Sequence, residues 1–77
     1  MRQIKIGKKY MHFKGKEYVT IAIATHSETK ERYVVYQALY GAKEMYIRPY
    51  EMFASKVDKD KYPEAVQEFR FEEVVQN

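Results

Sequence analysis

Residues 17–40 read EYVTIAIAT-HSETKE-RYVVYQALY, and this stretch decides the fold. Glu17 to Thr25 alternates as a strand. Val19, Ile21 and Ile23 fall on one face, and Tyr18, Thr20, Ala22 and Ala24 on the other. The small residues predict close packing by another element, or a flat outer face. Arg32 to Tyr40 alternates as well, with Tyr33, Val35, Gln37 and Leu39 opposite Val34, Tyr36, Ala38 and Tyr40. Both of its faces are largely apolar, which predicts a central strand covered on both sides, or one face lining a binding groove. His26 to Glu31 is a polar connection of hairpin length.

Further strands flank this hairpin. Lys9 to Phe13 lies between Gly7 and the turn Lys14-Gly15-Lys16, where Gly15 supplies positive φ. After Gly41-Ala42-Lys43 comes Glu44 to Arg48. Its alternation predicts Met45 and Ile47 on the core face, with Tyr46 and Arg48 opposite. Pro49 has no N–H and ends that ladder. Tyr50 to Ala54 suits a short helical turn behind the proline. Lys56 to Lys61 reads as an exposed loop, and Pro63 to Gln67 permits a single helical turn. Phe69 to Glu72 predicts a last strand with both Phe inward, which Val74 and Val75 would extend. The sum is a mainly all-β chain: a small SH3-like barrel of about five short strands and one short helical turn. It forms a single domain over 1–77, with 1–7 and 75–77 expected to fray.

A chain of 77 residues buries only about 60% of its unfolded surface. With no cysteine, neither a disulfide nor a thiolate zinc site is available. Two histidines make no convincing ligand set, so no metal or cofactor is expected. The 8 Tyr and 4 Phe supply the packing instead. A monomer or weak homo-oligomer follows. No signal-peptide pattern and no membrane-spanning run is present, which predicts a cytoplasmic protein with no membrane partner. Charge is uneven. Residues 1–40 carry eight Lys/Arg against three Glu, and residues 41–77 carry six against eight acidic groups.

The motifs together resemble a bacterial family, the domain of unknown function numbered sixteen-fifty-three. The matching residues are Lys9-Tyr10, His12-Phe13-Lys14-Gly15, Tyr18, Ala24 through Thr29, Val34-Val35-Tyr36 and Ala38-Leu39-Tyr40-Gly41. Ile47-Arg48-Pro49, Glu51-Met52-Phe53 and Arg70-Phe71 complete them. The resemblance covers nearly the whole chain and implies a small SH3-like barrel without an assigned activity. Met11 stands where such proteins often carry Arg, Tyr46 where they often carry Trp, and Tyr62 to Glu68 is atypical.

Candidate chemistry centres on His26, Ser27 and Glu28. An imidazole beside a carboxylate suits acid–base work, which would make a minimal hydrolase of His26 and Glu28. The same residues are ordinary turn formers, with hydroxyls bonding nearby backbone, and that reading is favoured. No residue is assigned as catalytic. Ser27 lacks a nucleophile elbow. Arg48, aimed by Pro49, suits a carboxylate or phosphate; an internal pair with Glu28, Glu44 or Glu51 is the alternative. Tyr36, Tyr40 and Tyr46 on outward faces would form an aromatic shelf; core or semi-core packing is the favoured reading for any one of them, but not all can fit inside so small a barrel. The expected function is a non-catalytic binding module whose site combines His26, Ser27, Glu28, Tyr36, Tyr46 and Arg48. Its ligand would be a small polar molecule or a peptide with a charged group. Nucleic-acid binding through Arg2, Lys5, Lys8, Lys9, Lys14 and Lys16 is the second expectation.

Overall fold

Five antiparallel strands and one helical turn build the molecule: β1 (Lys9–His12), β2 (Glu17–Thr25), β3 (Arg32–Ala38), β4 (Met45–Pro49), α1 (Tyr50–Phe53) and β5 (Phe71–Glu73). The structure is a computed structural model that describes residues 2–75. The strands form one sheet in the order β4-β3-β2-β1-β5. The expected five strands and short helical turn are therefore present, with β3 central in the hairpin run. No ladder joins β4 to β5 among the described residues.

The β1–β2 turn uses Gly15 at φ 96°, a conformation that glycine adopts without a Cβ penalty. The β2–β3 turn closes with His26 N–H donating to the Glu31 carbonyl and Lys30 N–H to the His26 carbonyl. Pro49 ends β4, and α1 follows at once. Residues 63–67 form a turn and no helix. The last strand is Phe71–Glu73, and Val74 and Val75 do not extend it.

Two facing assignments change. Thr20 pairs with Tyr36, while Ala22 pairs with Val35, so Ile21 is an extra residue in β2. Such a bulge reverses the side-chain parity beyond it. Tyr18 and Thr20 face the core before the bulge and Ile23 after it, while Ile21 is exposed. The buried Thr20 hydroxyl donates to the Lys5 carbonyl at 2.6 Å and accepts from Lys8 N–H at 3.2 Å. In β4, Met45 and Ile47 are the most exposed side chains, at 52% and 65%, with Tyr46 less so. Arg48 packs inward, its guanidinium 5.4 Å from the Phe71 ring centre. Strand β4 is an edge, and its inward residues are set by the register Tyr36↔Tyr46 and Val34↔Arg48.

The core is aromatic. Phe53 and Phe71 stack with centroids 4.0 Å apart and planes 5° from parallel. Tyr36 and Tyr10 meet Phe53 edge-on at 5.1 and 5.7 Å. Val34 completes the layer. Of the two phenylalanines expected inward near the end, Phe71 is buried, while Phe69 is half-buried beneath the Arg2 guanidinium. Ahead of β1, Ile4 is buried and its N–H donates to the Tyr50 hydroxyl at 2.7 Å. Gly7 N–H reaches the Thr20 carbonyl. These bonds tie down a segment whose composition predicts fraying. The fraying expected at Met1, Gln76 and Asn77 lies outside the described residues.

Candidate functional site

The sheet has two ends. At one end lie the β2–β3 turn, the end of β4 and α1. At the other lie the β1–β2 turn, the end of β3 and the start of β4. The six residues expected to form one site divide into two groups. His26, Ser27 and Glu28 are exposed in the β2–β3 turn. Tyr36, Tyr46 and Arg48 gather on the inward side of β3 and β4. At about 3.3 Å per residue, the four steps from Arg32 to Tyr36 put Tyr36 and its partner Tyr46 roughly 13 Å along the strand from the turn, while Arg48, opposite Val34, starts nearer and its side chain reaches to Tyr36.

In the turn, His26 works as a cap. Its Nδ1 accepts from the backbone N–H groups of Glu28 and Thr29, both at 3.2 Å. The Thr29 hydroxyl accepts from Glu31 N–H at 3.2 Å. No side-chain hydrogen bond joins His26 to Glu28 among the described residues. The local sequence explains this, because an acceptor two residues before an N–H closes a turn as Asp or Asn would.

Arg48 sits differently. Its Nε–H donates to the Tyr36 hydroxyl at 3.1 Å, and its plane is held near Phe71. The ion pairs among the described residues are Lys5–Glu73, Lys9–Glu17 and Lys56–Glu68. Arg48 belongs to none of them, so the internal carboxylate pair is not formed. Tyr46 lies 5.7 Å from Tyr36, its ring tilted by 34°.

Sequence reasoning missed two neighbours of this site. Tyr18 contacts Tyr36, Tyr40, Tyr46 and Phe71 with centroids 5.4 to 6.4 Å apart. Its hydroxyl lies 2.8 Å from that of Tyr40. Burial, and then this hydrogen bond, push its phenol well above the ordinary tyrosine range. His12 stacks on Phe13 at 4.6 Å and meets Phe71 edge-on at 4.9 Å. Its Nδ1 accepts from Lys14 N–H at 3.1 Å, which leaves the proton on Nε2. Burial first, and then the positive charges of Arg48, Arg70 and Lys14, pull its pKa down to about 4. His12 is therefore a neutral donor at physiological pH. The His12-Phe13 pair on a strand end gave the sequence signal, and the positive field around it came only from folding.

The expected basic group also separates. Arg2 donates to the carbonyls of Ala54 and Phe71, and Lys5 and Lys9 hold acidic partners. Lys14 and Lys16 instead stand over aromatic rings. Three surface hollows stand out. One of about 330 Å³ is lined by Phe13, Lys61, Tyr62, Pro63, Glu64 and Ala65. A second, of about 200 Å³, lies beside Arg32 and Tyr50. The third, beside Gly7 and Glu73, measures about 330 Å³. None is lined by the six expected site residues, so Arg48 stands on a shelf and not in a pocket. No cluster of metal-ligating groups occurs among the described residues. No helix among them is long and apolar enough to cross a membrane.

The chain belongs to the family described as "Protein of unknown function (DUF1653)", whose profile matches residues 8–73. No curated protein and no solved structure matches it.

Proposed function

We propose that the chain is a non-catalytic binding module, SH3-like in the coiling of its sheet, that serves in a bacterial cytoplasm. It recognises a small polar ligand or a peptide through an anionic group. The observation that carries this reading is the Arg48 guanidinium, which is half-buried, aimed by Tyr36 and Phe71, and without a carboxylate partner among the described residues. Taking a cation partly out of water is costly unless it is paired. A planar guanidinium fixed in this way offers its remaining N–H groups to a carboxylate or phosphate as a fork. The exposed flat ring of Tyr46 beside it suits the rest of the ligand, while Tyr36, 4% exposed, supports the guanidinium from the core and is not on the outward shelf expected of it.

The hydrolase reading gains nothing from the geometry, because the His26 Nδ1 is committed to backbone and the turn borders no enclosed space with Glu28. Isothermal titration with inorganic phosphate and with acetate tests the binding reading. The parent is expected to give a saturable response, R48A none, and R48K a weaker one. Equal responses in parent and R48A overturn it.

A further inference from the structure

Seven of the cations sort into two sets by what they touch, apart from Arg2 and Arg32, which stand over Phe69 and Tyr50 away from these rings. Lys5, Lys9 and Lys56 stand against carboxylates. Lys14, Lys16, Lys61 and Arg48 stand against aromatic faces and hold no ion pair among the described residues. Lys14 Nζ is 5.2 Å from the Tyr62 ring centre, Lys16 Nζ 5.0 Å from Tyr40, and Lys61 Nζ 5.5 Å from Tyr62.

The rings beneath them are continuous. Tyr46 and Tyr40 each meet Tyr18, at 6.4 and 5.6 Å. Tyr18 meets His12 at 6.4 Å, His12 stacks on Phe13 at 4.6 Å, and Phe13 meets Tyr62 at 4.9 Å. The 330 Å³ hollow opens at the Phe13–Tyr62 end of this run. Tyr46 and Tyr40 are exposed, and Phe13 and Tyr62 are half-exposed. The stripe crosses one end of the sheet, over the β1–β2 turn, the end of β3 and the 61–65 loop. Acidic groups border it at Glu44 beside Tyr46, at Glu64 beside Lys61, and at Glu17 between Lys16 and Tyr18, whose carboxylate is paired with Lys9.

We propose that this stripe is a docking surface for single-stranded nucleic acid, with bases stacked on Tyr46, Tyr40, Phe13 and Tyr62 and phosphates held by Arg48, Lys16, Lys14 and Lys61. The proposal rests on Arg48 being an anion site and names the anion as a backbone phosphate. Alternating rings and unpaired cations meet the two needs of a sequence-tolerant strand binder, which are π faces for bases and a positive track for phosphates. A duplex hides its base faces and leaves the rings without partners. Four ring positions correspond to on the order of four nucleotides, the lower end of what a small barrel covers.

Fluorescence anisotropy with a labelled 12-residue oligothymidylate tests it. Four phosphate contacts give a log–log salt slope near about −2.8, so affinity is expected to fall about 50-fold between 50 and 200 mM salt. K16E and K61E are both exposed and lie away from Arg48. Each is expected to weaken binding by about fivefold or more and to flatten the slope. Tyr62→Leu, which keeps an apolar contact with Phe13 and removes the stacking face, is expected to weaken it by about fivefold or more. A 12-base-pair duplex is expected to bind at least about tenfold more weakly, since stacking is lost. No complex at 25 mM salt overturns the proposal. So does binding of a duplex or a 12-residue polyglutamate as tightly as the single strand, which would show a surface that reads charge alone. If the oligonucleotide fails while inorganic phosphate still perturbs Arg48, the anion site stands and only the strand-binding assignment falls.

Discussion

Arg48 and Tyr36 meet diagonally across β3 and β4, the Arg48 Nε–H donating to the Tyr36 hydroxyl at 3.1 Å. Arg48 pairs in register with Val34, and Tyr36 with Tyr46, so the bond reaches from one rung to the next on the inward face. It fixes one edge of the guanidinium and leaves the other to a ligand. Tyr36→Phe removes the acceptor and keeps the ring. We expect a stability loss of about 1 kcal/mol, the net worth of one such bond, measured by urea unfolding. Phosphate affinity should fall although the Arg48 charge remains. Unchanged affinity would show that Tyr36 does not position the guanidinium.

The stacked pair Phe53 and Phe71 is 0% and 1% exposed. Truncating either to Ala should cost about 3–5 kcal/mol. For a 77-residue domain that is at least about a quarter, and at the low end all, of the expected stability of about 0.05–0.15 kcal/mol per residue. Near-ultraviolet circular dichroism of F53A is therefore expected to show lost tyrosine packing at room temperature. A cooperative unfolding transition close to that of the parent would contradict the placement of this pair at the centre of the core.

Thr20→Val keeps shape and deletes the hydroxyl that satisfies the Lys5 carbonyl and Lys8 N–H. Leaving such groups unpaired costs about 1–3 kcal/mol, which a shift in the urea midpoint reads. Deleting Ile21 is a sharper test of the bulge. The deletion removes the unpaired residue and returns β2 to plain alternation with Tyr18, Thr20 and Ile23 all still on the core face. The deleted chain is therefore expected to keep a cooperative urea transition, and loss of that transition would contradict the reading of Ile21 as the extra residue.

His12 gives the pH dependence. Its folded pKa of about 4 lies below its ordinary 6.5, so the unfolded chain takes up a proton that the folded chain refuses. Between those values the unfolded state binds more protons, and stability rises with pH. The His12 contribution is full above about 6.5 and is lost as pH falls toward 4. His12→Gln should flatten this part of the profile. Carboxylate effects remain in both proteins, so the difference between the two curves isolates His12. A His12 resonance that titrates near 6.5 by NMR would contradict the crowding of positive charge around it.

His26→Ala should lose about 0.5–1.5 kcal/mol by removing the acceptor for two backbone N–H groups. His26→Asp keeps an acceptor at the same place and should restore most of it. Neither change should alter phosphate affinity, because the Arg48 guanidinium is held by Tyr36 and Phe71 and makes no contact with the turn among the described residues. A matched loss of affinity in both variants would join His26 to the site again.

Strand number, turns and the helical turn after Pro49 were legible because each rests on local chemistry: alternation, glycine, proline. The facing of β2 and β4 was not. Val19, Ile21 and Ile23 alternate cleanly, yet a single extra residue at Ile21 turns the strand over, and its pairing partner reveals it. Met45 and Ile47 look like core side chains until β4 is known to be an edge strand. The site was legible in part. Tyr36, Tyr46 and Arg48 do assemble, since they share one face of one strand pair. His26, Ser27 and Glu28 were drawn to them by motif density alone, and distance along β3 separates them from Tyr36 and Tyr46. His12 and Tyr18 went unrecognised because their setting is made by Phe71, about sixty and fifty residues away.

The central claim is that Arg48 binds an anion. Nitrogen-detected NMR of the arginine side chains during titration with inorganic phosphate addresses it directly. The Arg48 Nε–H signal should shift in a saturable way, while Arg2, committed to the Ala54 and Phe71 carbonyls, should stay still. A linear drift shared by every arginine, or an Arg48 signal that does not move, would contradict the claim.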